Sequence, residues 1–398
     1  MSASRAVFSL PLYASYQFLI VLGYAFKPSR YRPLLFIPIA LIAIYLVFFT
    51  TTGTIADVGL GGAIMTHLAH AFDAIVLKDV QKVWYRVGEK PGGISSAGFK
   101  SRLAWAWHLH NSPRGVGWYH AKPHIPRNPP SYNSPQDRKA FVISRLYTLS
   151  ICVVVQAGFY FINAANPALA PGATPLTHQS LYIRALSTLG QVAPALATMT
   201  AQHCALGIVL VTVGISQPAD WPPLFGSPKN MYTVSAFWRD VWHQMMRNPI
   251  TSIASFIVHS ILRIPHISPK SSPRTQVLVR LLKLHLAFLV SALIHASGEF
   301  MMLGYGCRGA FTFFILQPWA ITLELGIQYL LTGSIPGKNN NKLPTLIWRM
   351  VGYVWVLVWF ITICPLIQQP MVEAGLFLGT PGSVLTQKVG RLLALDTI

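Results

Sequence analysis

His295 is the residue best suited to chemistry. It lies in AFLVSALIHASGEF, residues 287–300, with Ser291 one helical turn before it and Glu299 one turn after it. Side chains four apart share a helix face. An imidazole there can take a proton near neutral pH, and a carboxylate one turn on can orient its ring and stabilise the imidazolium. The same His and Glu could instead only tie helices together. A second cluster, FWRDVWHQ, runs from Phe237 to Gln244 and follows the proline-rich WPPLFGSP. Trp238 and Trp242 are four apart and Asp240 and His243 three apart, which predicts a short amphipathic helix with an aromatic and a polar face. The alternative is an interfacial helix whose tryptophans sit at headgroup depth. A third group, His67, His70 and Asp73 in THLAHAFD, has a spacing of three and three that aligns one face. Metal ligands could be spaced so, but interhelical polar contacts are the preferred reading and no metal is expected.

Missing signatures narrow the chemistry. The seven aspartates are isolated, so no acidic pair offers magnesium a diphosphate site. There is no G-x-S-x-G elbow, no G-x-x-x-x-G-K-[ST] loop, no H-E-x-x-H, and no H-x-x-x-D of the soluble acyltransferases. Cys152, Cys204, Cys307 and Cys364 are widely separated and form no C-x-x-C pair, so they read as small packing residues. His295 is left as the leading base.

These residues must be held in an apolar medium. Of the 398 residues 53% are hydrophobic and only 11% charged, and the mean hydropathy is +0.46. A soluble domain carries roughly 25% charged residues, so the apolar surplus must face lipid. A bilayer-spanning helix needs about 20 apolar residues. Eight runs qualify, at residues 7–26, 33–52, 55–77, 141–164, 181–216, 275–303, 309–332 and 344–367. A ninth, 249–262, is too short and predicts a re-entrant or interfacial helix. The fold class expected is therefore an all-α, polytopic membrane bundle. The first run, preceded by Arg5, reads as a retained anchor.

The net charge of +20 comes from 31 Lys and Arg against 11 acids. These charges punctuate long apolar runs rather than forming stripes, which argues for membrane topology and against a nucleic-acid partner. With alternating spans and 249–262 taken as re-entrant, the clusters at Lys27–Arg32, Lys78–Lys139, Arg239–Arg274 and Lys338–Lys342 all fall on the cytoplasmic side. The connection from Lys78 to Lys139 is too aromatic for disorder: Trp84, Tyr85, Trp105, Trp107, Trp118 and Tyr119 suit a headgroup-level belt, and Pro123 to Pro130 stiffen its exit. Three segments are expected: N-terminal membrane helices at 1–77, a basic aromatic cytosolic loop at 78–140, and a core at 141–398.

FWRDVWHQ and SALIHASGE together resemble the membrane-bound O-acyltransferase superfamily. The first is similar to the F-Y-x-D-W-W-N element of sterol and diacylglycerol acyltransferases, and more directly to the F-W-x-x-x-W-H-Q of the fungal wax-synthase-like branch. The second resembles the segment carrying the family's catalytic histidine about fifty residues downstream, and His295 follows His243 at such an interval. SPRGVGW, Ser112 to Trp118, is similar to a stretch in the long loop of the same fungal branch. His243 and Val241 depart from the asparagine and tryptophan of the better-studied branches.

The resemblance implies an acyl-CoA cosubstrate entering from the cytoplasm, no bound cofactor, and a lipophilic alcohol arriving from the bilayer, here that of the endoplasmic reticulum. It implies His295 as general base, with Ser291 or a backbone amide stabilising the oxyanion, while Glu299 is the third catalytic candidate by its spacing. Phe237, Trp238, Arg239, Asp240, Trp242, His243, Gln244 and Arg247 would then be the acyl-CoA-binding segment, with Arg239 and Arg247 able to face phosphates. The first expectation is direct transfer of acetyl from acetyl-CoA to a terpenoid or meroterpenoid hydroxyl of secondary metabolism. The alternatives are a long-chain wax or sterol ester synthase and an integral-membrane terpene cyclase using Glu299 as acid.

Overall fold

The computed structural model describes residues 5–121, 137–170, 172–268, 270–332 and 346–375. Lys122, Arg127, Lys338 and Lys342, the prolines from Pro123 to Pro130, and the tail after residue 375 lie outside the described residues. The ten longer helices are α1 (Leu10–Ala25), α2 (Phe36–Phe49), α3 (Asp57–Ala71), α4 (Phe99–His110), α5 (Asp137–Ala164), α6 (Leu181–Thr212), α7 (Arg247–Phe256), α8 (Pro273–Leu303), α9 (Arg308–Thr332) and α10 (Leu346–Glu373). Two dipeptide strands, β1 (Ala6–Val7) and β2 (Thr50–Thr51), pair in parallel.

Among the described residues seven helices are long and apolar enough to cross a membrane. They are the expected spans except the first. The run at 7–26 yields only the 16-residue α1. Its end is fixed early because side chains from elsewhere take its last carbonyls: Arg32 donates to Gly23, Gln81 to Tyr24, and Arg102 to Ala25. The run at 249–262 forms the ten-residue α7 and a π-turn, Ile257–Ile261, too short to span as expected.

The chain forms two compact units, each from separated stretches: 1–125, 231–240 and 244–350 in the first, and 126–230, 241–243 and 351–398 in the second. In the second, Asn163 Nδ2 donates to Gly190 O across α5 and α6, and Arg184 Nη2 of α6 donates to Thr362 O of α10. Such polar contacts hold helices where lipid supplies no hydrophobic drive between them.

The first unit carries His295 on α8. Residues 78–121 of the aromatic connection are structured, and three of their tryptophans pack inward in place of the expected headgroup-level belt. Trp84, Trp105 and Trp118 are buried, with Trp105 edge-on to Trp118 and Trp84 stacked on His120 at 4.1 Å, while Trp107 and Tyr119 stay exposed. Their indole area is large enough to serve as the core where α4 packs on α1.

Helices α3 and α8 meet through glycine. A Cβ on Gly61 would lie 3.0 Å from Gly298 Cα, and one on Gly298 would collide with Val58 O. Small residues let helix backbones approach closely in a bilayer. Gly298→Ala is therefore expected to cost about 1–3 kcal/mol by forcing the helices apart, read as a lower thermal midpoint in detergent. Gly62→Ala, whose Cβ meets nothing within 4 Å, should leave the midpoint unchanged.

Candidate active site

His295 points its Nδ1 back along α8, 2.8 Å from Ser291 O. A carbonyl can only accept, so Nδ1 carries the proton and Nε2 holds the lone pair. No hydrogen-bond partner occupies Nε2 among the described residues. The ring stacks on Phe314 of α9, centroids 3.9 Å apart and planes at 26°. One edge and one face of the imidazole are thus fixed, and its basic nitrogen is left for a reactant.

Glu299 does not touch that ring. Its carboxylate accepts from Gly309 N at 3.1 Å and from Ala310 N, the first amides of α9. The expectation of a ring-orienting carboxylate is corrected accordingly: the Ser291 carbonyl orients the ring. The turn between α8 and α9 makes this possible, because Gly304 adopts φ +75 and reverses the chain. A helix N-terminus presents unpaired amides and a positive dipole end, so the nearby carboxylate is captured there.

FWRDVWHQ forms a π-turn over Phe237–Val241 instead of an amphipathic α-helix. The wider turn breaks the four-residue register. Trp238 belongs to the first unit, whereas Trp242 and His243 belong to the second and pack on Phe225 at 5.4 and 6.2 Å. Gln244 Nε2 donates to Trp238 O, and Arg247 Nη1 donates to Gln244 Oε1 and Arg239 O, covering carbonyls that the interrupted helix leaves open.

The structure brings Trp238 and His295 together through one shared ring. Trp238 lies 5.8 Å from Phe314, the ring that stacks on His295, and 5.8 Å edge-on from Phe288 of α8. Its Nε1 donates to Gln317 Oε1 at 3.0 Å. Gln317 is wholly buried. Beside it, Arg239 donates to both oxygens of Asp240, at 3.0 and 2.8 Å, which raises the guanidinium above its ordinary pKa. Burial, then the charge of Arg239, pulls that of Arg247 down. Phe237 lies 5.1 Å edge-on from Trp238.

Sequence reasoning passed over Gln317 and Glu324. The Glu324 carboxylate accepts from Val234 N and Ser235 N, anchoring the turn that leads into Trp238. The signal was available, since a carboxylate within an apolar span needs a partner.

His67, His70 and Asp73 do not converge on one point. His67 Nδ1 accepts from Gln17 of α1, His70 Nε2 donates to Met245 O, and Asp73 pairs with Lys78 at 2.8 Å. Among the described residues no group of three or more His, Cys, Asp or Glu is arranged to hold a metal ion.

The comparisons with known proteins identify the family. The family model described as "Membrane bound O-acyl transferase family" matches residues 221–316, which include both Trp238 and His295. The chain is 30% identical to the acetyltransferase eriL of Hericium erinaceus over 92% of its own length and 91% of that protein's. It is 30% identical to the acetyltransferase ple2 of Rhodocybe pseudopiperita over 87% and 86%, and 27% identical to the O-Mevalon transferase macI of Penicillium terrestre over 75% and 70%. No solved structure matches the chain.

Glu299→Gln would leave one α9 amide unpaired and is expected to cost about 1–3 kcal/mol, seen as a lowered melting midpoint. The pH profile of turnover by the remaining folded protein should not move, because the carboxylate does not contact the imidazole. A displaced profile would count against this assignment.

Proposed function

Because the chain belongs to the membrane-bound O-acyltransferase family, and so is an integral membrane acyltransferase using an acyl-CoA and an acceptor, we propose that it transfers acetyl from acetyl-CoA to a terpenoid or meroterpenoid hydroxyl. The membrane is that of the endoplasmic reticulum. The full-length relatives that carry the name acetyltransferase support the donor. The observation that carries the chemistry is the fixed tautomer of His295, with Nδ1 on Ser291 O and Nε2 unprotonated.

In this reading the acceptor oxygen attacks the thioester carbonyl as Nε2 takes its proton. The C–S bond breaks, and the departing thiolate receives that proton from the imidazolium, which returns the base to its starting form. Ser291 acts through its carbonyl, holding Nδ1–H and stabilising the transient positive ring. Phe314 keeps the ring plane fixed, so the base meets the hydroxyl without reorganising. A thiolate leaves readily, so no acyl-enzyme is required. Trp238 forms the wall beside Phe314, and Arg239 and Arg247 supply positive charge for the CoA phosphates. Glu299 and Glu324 are positioning residues, one for α9 and one for the turn before Trp238.

The test is ester formation by microsomes from labelled acetyl-CoA and longer acyl-CoAs, against terpenoid, sterol and fatty alcohols. Wild type should use acetyl-CoA best with a terpenoid alcohol. His295→Ala should lower turnover by roughly 10²–10⁴-fold without lowering the amount of folded protein. Turnover that survives this substitution would remove His295 as the base, and a preference for long acyl donors would replace the acetyl assignment.

A further inference from the structure

Two stretches that the proposed chemistry leaves unused meet at one cleft in the first unit. THLAHAFD supplies His67 and His70, and the SPRGVGW loop supplies Ser112. Tyr24, Trp84, His110, His120 and Asn248 add further polar side-chain atoms to the lining. The cleft adjoins the segment that frames the reaction site. Gln244 holds Trp238 O, its neighbour Met245 accepts from His70 through its carbonyl, and Asn248 follows three residues later.

The hydrogen bonds of three of these imidazoles are determined. Gln17 bridges two imidazoles: its Nε2 donates to His67 Nδ1 at 3.0 Å, and its Oε1 accepts from His110 Nε2 at 2.8 Å. His70 Nε2 donates to Met245 O at 2.9 Å. Each neutral imidazole has one donor and one acceptor nitrogen. For the imidazoles of His67, His70 and His110, what remains is one donor, His67 Nε2–H, and two acceptors, His70 Nδ1 and His110 Nδ1, none of which has a partner among the described residues. Burial, with His67 and His70 adding to it, drives the pKa of His110 down to about 3, so it stays neutral at physiological pH.

The lining contains no Lys, Arg, Asp or Glu, although the chain has 31 basic residues. The nearby Lys78 ammonium is committed to Asp73 at 2.8 Å and Ser252 at 2.6 Å. A site for CoA phosphates would use such cations. A site for a long acyl chain would be apolar, and here only Leu109 and Pro113 lack a polar side-chain atom. A neutral oxygen-bearing ligand matches both facts.

Resting on the acyltransferase reading above, we propose that this histidine-lined cleft binds a non-reacting oxygen function of a neutral, oxygenated acceptor and selects for it. A hydroxyl donates to His70 or His110 and accepts from His67. An acceptor lacking that oxygen leaves these half-buried imidazoles without a ligand partner, which is how polar sites reject deoxy analogues.

The test uses betulin and lupeol, two triterpenoid alcohols with the same ring hydroxyl, of which lupeol lacks the remote second one. Diethyl pyrocarbonate, which modifies neutral imidazoles, is mapped by mass spectrometry on purified wild-type protein alone, with betulin, with lupeol, with oleyl alcohol, and with CoA. Betulin should protect His70 and His110, whose lone-pair nitrogens face the cleft, at least five-fold more than lupeol, and CoA and oleyl alcohol should not protect them. Protection by CoA or oleyl alcohol, equal protection by the two triterpenoids, or none by any compound would overturn the proposal. In parallel, His110→Phe should reduce the preference for betulin over lupeol in kcat/KM from at least ten-fold to within about two-fold, with the KM for acetyl-CoA unchanged. Failure of the acyltransferase reading is separate, since it shows as no ester from any donor, while the footprint reports binding without turnover.

Discussion

Everything around the candidate base depends on one buried carboxylate at a helix end. Glu299, only 3% exposed, binds the amides of Gly309 and Ala310 and so fixes where α9 begins relative to α8. From that starting point α9 acts as a ruler. One turn on, Phe314 meets the face of His295. Three residues further Gln317 receives Trp238, and two turns beyond that Glu324 holds the turn leading into it. A charge in so apolar a place is costly unless fully paired, and backbone amides at a helix N-terminus provide that pairing without a second charge.

Much of this was legible in the sequence, and the parts that were not share a physical cause. Residue type singled out His295 as the candidate base, and span hydropathy marked the seven helices that are long and apolar enough to cross a membrane, because lipid imposes a strong compositional constraint. Spacing of four correctly placed Glu299 on the same helix as His295, yet could not say which way its flexible side chain would turn. The partner lay across the Gly304 turn, ten residues along the chain. FWRDVWHQ failed more deeply, since the regular period assumed for Trp238 and Trp242 does not survive a π-turn. The turn is supported by Gln244 and Arg247, side chains that the sequence offered as ligand contacts. Trp84, Trp105 and Trp118 look alike in a composition count whether they face headgroups or one another.

A second constraint acts on α8 through its other neighbour, α3. The Gly61 and Gly298 contact brings α3 close enough that an added methyl has no room. Asp57 then closes the N-terminus of α3 by accepting from the Thr52 amide and from the Thr51 and Thr52 hydroxyls. The helix bearing the base is thus gripped by glycine contact on one face and by the Glu299 cap toward the other neighbour. Both grips lie within one turn of His295 in sequence.

Gln17 carries a different kind of information. Its amide has a donor end and an acceptor end, and each end commands one imidazole. Rotating that amide by half a turn would reverse the proton placement on both rings at once, so that His67 would offer a lone pair to the cleft and His110 a proton. The polarity of the cleft is therefore encoded outside it, in the orientation of a side chain on α1 that lines none of it.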